Sequence, residues 1–146
     1  MSRKGIFVGS FDPFTIGHAD IVSRALPLFD TIVIGVGMNE SKLYMQSAKE
    51  RCRRIKEAYK DEPRIEVQTY GDLTVDFAHR VGANFIIKGV RSIKDFEYER
   101  EQAVINRRIG DVDTLLLYAE PRYDSISSSM IRELLHFGKE VDEFLP

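Results

Sequence analysis

The spacing of its apolar runs constrains this chain more than any other feature. Five short stretches recur along the 146 residues: Gly5-Ile6-Phe7-Val8, Thr31 to Val36, Ile65-Glu66-Val67, Asn84 to Ile87 and Thr114 to Tyr118. Several are apolar at nearly every position, with no alternating wet face, which predicts strands buried on both sides. Helix-like segments separate them. Residues 17–28 place Ile21, Val22, Ala25 and Leu28 at helical spacing. Ser47 opens Ser-Ala-Lys-Glu, a capping-box pattern that predicts a helix through about Tyr59. Residues 72–81 and 92–109 carry the same signal. Strand and helix in turn, five times over, predict an α/β fold whose five-stranded parallel sheet has helices on both faces. No linker, repeat or low-complexity tract interrupts the series, so residues 1–146 are expected to form a single domain.

In such sheets ligands bind beyond the carboxyl ends of the strands, where the strand order reverses. The loops at 9–18, 37–46, 68–74, 88–99 and 118–129 are therefore the places to look for chemistry. The first reads GSFDPFTIGH and is over-furnished for a connector. Its Gly9, Ser10 and Phe11 N–H groups suit an anion, a helix opening near Gly17 offers its positive end, and His18 falls in the first turn. The positive end disfavours an imidazolium, but a neutral ring still donates one hydrogen bond. Taken alone, the stretch fits equally well a turn at Asp12-Pro13 with a surface histidine. In the second loop stands Lys42. In KGVRS, Lys88 and Arg91 flank Gly89 and Val90 directly after a buried strand, a placement suited to a phosphate chain. SISSSMIREL puts Ser127, Ser128 and Ser129 ahead of an apolar helix, where one serine suffices as a cap. Glu99 and Asn106 are two helical turns apart, so both are expected to face one pocket.

Composition removes several classes. A net charge of −2 and the lack of a basic stripe argue against a nucleic-acid surface. No stretch approaches the ~18 apolar residues of a membrane span, and the first residues lack a signal peptide's apolar core, so a cytoplasmic protein without membrane contact is expected. Cys52, the only cysteine, excludes an internal disulfide and reads as helix packing. His79 and His136 read as structural or solvent-facing, and no Cys/His spacing suggests zinc. What remains is a set of cations, N–H donors and hydroxyls without an obvious nucleophile or base. That set suits phosphoryl or nucleotidyl transfer, in which the protein positions charged reactants.

Two of these stretches are recognisable. GSFDPFTIGH resembles the [ST]-x-GH region of the nucleotidyltransferase superfamily, and SISSS resembles its second signature. Together with Lys42, KGVRS, DFEYE and VDEFLP, the chain resembles the bacterial phosphopantetheine adenylyltransferases from residue 5 onward. The resemblance implies a Rossmann-like fold of nucleotidyltransferase type, assembled as a homohexamer. It implies transfer of the adenylyl group of ATP to 4′-phosphopantetheine with Mg2+, yielding dephospho-coenzyme A and pyrophosphate. It assigns His18, Lys42 and Arg91 to catalysis. To ATP it assigns Ser10, Phe11, His18, Gly89, Val90, Arg91, Glu99 and the run Tyr123, Asp124, Ser125, Ile126, Ser127, Ser128 and Ser129. To the pantetheine substrate it assigns Ser10, Lys42, Thr74, Lys88 and Asn106. Two positions depart from the usual pattern: Ser10 stands where many members have Thr, and Lys88 where many have Arg. The rival readings are a nucleotidyltransferase for another acceptor, such as nicotinate mononucleotide, and a nucleotide-binding module without catalysis.

Overall fold

The structure, a computed structural model, describes residues 2–39 and 41–146. Five strands form one parallel sheet: β1 (Lys4–Gly9), β2 (Thr31–Gly37), β3 (Ile65–Tyr70), β4 (Phe85–Val90) and β5 (Asp113–Tyr118). Five α-helices alternate with them and follow the last: α1 (Ile16–Ala25), α2 (Ala48–Ala58), α3 (Thr74–Val81), α4 (Ile93–Gly110) and α5 (Ser128–His136). The strand order is β3-β2-β1-β4-β5. The chain builds outward from β1 to β3, then returns through α3 to lay β4 on the other side of β1. The order therefore reverses between β1 and β4, and the crevice lies beyond Gly9 and Val90.

The continuous apolar runs behave as two-faced strands. Phe7, Ile32, Ile34, Val36 and Ile87 point to the face covered by α1 and α2, where they meet Ile21, Val22, Ala25, Cys52 and Ile55. Their chain neighbours Ile6, Val8, Val33 and Ile86 point to the opposite face and pack with Val75, Phe77 and Ala78 of α3. Because both faces are dry, slipping any central strand by one residue would exchange two apolar sets rather than expose one. Register is fixed instead by fit, as at Gly35, where an added Cβ would lie 2.5 Å from the Phe77 ring.

Two local readings change. Helix α1 ends at Ala25, and Pro27, which has no N–H to continue the ladder, sits in a 3-10 turn over Leu26–Leu28. Leu28 consequently turns outward and is 47% exposed rather than part of the apolar stripe. Helix α4 has no fully buried residue, and Val104, Ile105 and Ile109 are each at least half exposed. Among the described residues, no helix is long and apolar enough to cross a membrane.

Candidate active site

The switch point opens into a cleft of about 410 Å³. The β1–α1 loop forms its floor, the KGVRS segment and the start of α4 one wall, and the β5–α5 loop the other. Lys42 reaches in from the segment after β2. Four cations, Lys42, Lys88, Arg91 and Arg132, line it against two carboxylates, Asp95 and Glu99. This excess of positive charge is local, on a chain that is acidic overall. It makes the cleft a place for polyanions.

The floor is shaped by an unusual backbone. Phe11 has a φ of 49°, in the left-handed region that non-glycine residues rarely occupy. The turn drives the Phe11 ring into the core, where its centroid lies 5.3 Å from that of Phe7 and 5.1 Å from that of Phe14. Ser10 is left at the surface of the cleft. Thr15 then caps α1: its hydroxyl accepts from the His18 N–H, and its own N–H donates to His18 Nδ1 at 2.9 Å. This is a capping box in which an imidazole takes the place usually held by Glu or Gln. The helix opens at Ile16, one residue before Gly17.

That bond fixes the chemistry of His18. Since Nδ1 accepts, the ring proton of the neutral form resides on Nε2, leaving that nitrogen as a donor. The ring is enclosed by Phe7, Phe11 and Phe14, with centroids 5.0 to 6.3 Å away. Burial, reinforced by the nearby Arg91 charge, pushes its pKa down to about 4. His18 is therefore a neutral hydrogen-bond donor at physiological pH, not a base awaiting a proton.

The other side chains take distinct stations. Lys42 Nζ donates to Ser10 Oγ at 3.0 Å, across 32 residues of sequence. Arg91 is held to Asp95 at 3.3 Å and reaches the Ile126 carbonyl at 3.4 Å. Lys88 faces Glu99 at 3.3 Å, so Glu99 serves at least in part as the lysine's counter-ion. The three serines divide their work. Ser127 caps α5 by accepting from the Met130 N–H, and Ser128 donates to the Pro13 carbonyl at 2.7 Å. Ser129 Oγ lies 3.3 Å from Ser127 Oγ and is the freest of the three.

Ser10, Phe11, His18, Lys42, Lys88, Gly89, Arg91, Glu99, Tyr123, Ile126 and the three serines thus all line one cleft. Asp124 and Ser125 occupy the turn between two lining residues. Val90 is buried and lines a separate hollow together with Phe96 and Tyr118. Thr74 and Asn106 are not among the residues that line this cleft: the Thr74 hydroxyl lies 3.3 Å from Tyr70 OH at the start of α3, and Asn106 is farther along α4. The seven-residue spacing from Glu99 keeps Asn106 on the same face of α4, but two turns are about 11 Å of rise. Asp95 and Arg132 line the cleft and were not singled out from sequence. Their signal was present in part, as charges one turn into helices that open at the ligand side.

The cytidylyltransferase-like family model matches residues 6–134. A phosphopantetheine adenylyltransferase of Bacteroides fragilis is 48% identical over 144 residues, covering 99% of this chain and 96% of the relative. One from Porphyromonas gingivalis is 50% identical over 141 residues, covering 97% and 92%. Among solved structures, a bifunctional NMN adenylyltransferase/ADP ribose pyrophosphatase of Francisella tularensis, complexed with AMP and a Mn ion, superposes with a TM-score of 0.72. At 14% identity, and with this chain spanning 44% of its length, that likeness speaks to the fold.

Proposed function

The chain belongs to the phosphopantetheine adenylyltransferases, within the cytidylyltransferase-like family, and on that premise we propose how its cleft transfers AMP from ATP to 4′-phosphopantetheine. The observation that carries the reading is the convergence of an Nε2–H donor, four cations and a helix N-terminus on the switch point of the sheet. The acceptor is a phosphate that is largely ionised at neutral pH. It needs no general base, and the two carboxylates of the cleft, Asp95 and Glu99, are engaged by Arg91 and Lys88. One of its oxygens attacks the α-phosphorus of ATP in line with the departing oxygen. The new P–O bond forms as the bond between the α-phosphorus and the bridging oxygen breaks, and pyrophosphate carries away the electron pair.

In this reading Lys42 and Ser10 hold the acceptor phosphate, with Lys88 beside it. The Gly89–Arg91 segment and the Tyr123–Ser129 loop hold ATP, Arg91 meeting its phosphates. His18 Nε2–H donates to an α-phosphate oxygen, where negative charge accumulates as the transition state forms. Such a preplaced donor in a partly dry site stabilises that charge without reorganising. Arg91 and Lys42 bring together two polyanions that repel each other in water. ATP enters as its Mg2+ complex. The exposed Val104, Ile105 and Ile109 of α4 support association of this helix with further copies of the chain, in the homohexamer that the proposal includes.

Pyrophosphate release with ATP and 4′-phosphopantetheine, against nicotinate mononucleotide and phosphocholine as acceptors, tests the reading. Turnover confined to phosphopantetheine is expected. Turnover with one of the other acceptors and none with phosphopantetheine would overturn it.

A further inference from the structure

Arg51 is 2% exposed, and among the described residues it has no carboxylate partner. A buried guanidinium is costly unless its N–H groups are satisfied. Here the partners are three backbone carbonyls. Nη1 donates to Ser10 O and to Gly37 O, and Nε donates to Gln46 O. These carbonyls come from the strained turn after β1, the end of β2 and the segment that carries Lys42. The guanidinium also stacks on the Tyr44 ring, 3.9 Å from its centroid.

Asp12 is the second buried charge, 3% exposed. Its carboxylate accepts from the N–H groups of Met45 at 2.6 Å and Gln46 at 3.1 Å. The Gln46 peptide unit and its neighbour are therefore gripped from both sides, the N–H groups by Asp12 and the carbonyl by Arg51. Tyr44 closes the frame: its hydroxyl accepts from the Asn39 N–H, and its ring lies 5.4 Å from the Lys42 ammonium. Asp12 and Arg51 do not line the cleft beside Lys42, yet each connects the Ser10 turn to the Lys42 segment.

We propose that Asp12, Arg51 and Tyr44 are positioning residues that set the placement of the Lys42 ammonium relative to Ser10. Without them, the Lys42–Ser10 bond at its exposed tip is the one hydrogen bond left, among the described residues, between segment 41–46 and the Ser10 turn. An ammonium on four flexible bonds then samples many positions, and the acceptor phosphate must pay to order it on binding.

The inference rests on the reading that Lys42 meets the acceptor phosphate, and a double-mutant cycle separates the two. Binding of 4′-phosphopantetheine, which needs no turnover, is measured by calorimetry in the wild type, Asp12→Asn, Lys42→Met and the double variant. Asp12→Asn is isosteric but turns an N–H toward a backbone N–H. It is expected to weaken binding about tenfold in the wild-type background and to have no effect once Lys42 is Met. An equal loss in both backgrounds means that Asp12 acts on the site as a whole, and overturns the inference while leaving Lys42 its role. Wild-type binding by Lys42→Met removes the reading of Lys42 and the inference with it. Should Asp12→Asn fail to fold, Tyr44→Leu, at a partly exposed position, is put through the same cycle with the same expected pattern.

Discussion

An ordinary histidine is about 76% protonated at pH 6, whereas one with a pKa of about 4 is about 1% protonated. Lowering the pH through this range therefore separates the two descriptions of His18 sharply. The clean assay is a titration of the His18 ring by NMR, assigned by its loss in His18→Ala. Kinetics alone would mislead, because the acceptor phosphate itself takes up a proton near pH 6. The expected result is a ring that stays neutral, with its proton on Nε2, down to pH 5 and titrates near 4. Burial is the larger cause of the depression and Arg91 the smaller, so Arg91→Met should recover only the lesser part of the shift. A stability slope must accompany it. Between pH 6.5 and 4 the unfolded chain binds a proton at this residue and the folded chain does not, so stability falls as the pH drops through that window. The full difference of 2.5 units corresponds to about 3 kcal/mol, complete above 6.5 and lost below 4. His18→Leu should flatten that part of the profile. A His18 ring titrating at 6 or above would refute both the neutral donor and the enclosure by Phe7, Phe11 and Phe14 from which it is argued.

Other outcomes follow from the same geometry. His18→Ala should lower kcat by roughly 10²–10³-fold with little change in KM for ATP, read by steady-state kinetics; an equal loss in affinity with kcat intact would remove its role in the transition state. Gly89→Ala should destabilise the fold by about 1–3 kcal/mol in thermal or denaturant unfolding, because the new Cβ would sit 2.9 Å from Ile21. In the proposed homohexamer, replacing Ile105 and Ile109 together by Glu should give smaller species than the wild type in analytical ultracentrifugation, and a hexamer unchanged by the substitutions would place the interface elsewhere.

Much of the scaffold was legible because its signals are local. Strands buried on both sides write themselves as unbroken apolar runs, and capping residues stand next to what they cap. The direction of the strands alone gave the edge of the sheet on which the cleft lies, and the strand order then placed it between β1 and β4. Leu28 was misjudged because helical spacing was extended through Pro27, a breaker whose missing N–H is equally local and outweighs the periodicity. Asn106 shows a different limit. Spacing along a helix tells which residues share a face, not which stretch of that face borders the cleft; that depends on how α4 is docked. The capping box at Thr15 was also harder to see, since its partner is a histidine rather than Glu or Gln.

The least legible part of the site is the frame that holds it. Asp12 reads from sequence as a turn residue beside Pro13, and so it is, but its carboxylate is spent on N–H groups 33 and 34 residues away. Arg51 reads as one more charge in Lys-Glu-Arg-Cys-Arg-Arg, alongside Arg53 and Arg54, which do pair with Glu50 on an exposed surface. Only the docking of α2 against the sheet turns Arg51 inward, and helical spacing gives a partial hint: Arg51 lies four residues before Ile55 and next to Cys52, on the buried face. A cation on an apolar stripe is a conflict between local composition and periodicity. Here the conflict is resolved by three carbonyls, two of them at or just past the ends of β1 and β2, where backbone groups lose their ladder partners, and one in the segment before α2. The same feature that opens a binding cleft, strands ending without continuation, thus creates the need that a buried arginine satisfies. Such a residue is more informative about where a site is anchored than the exposed charges that outnumber it.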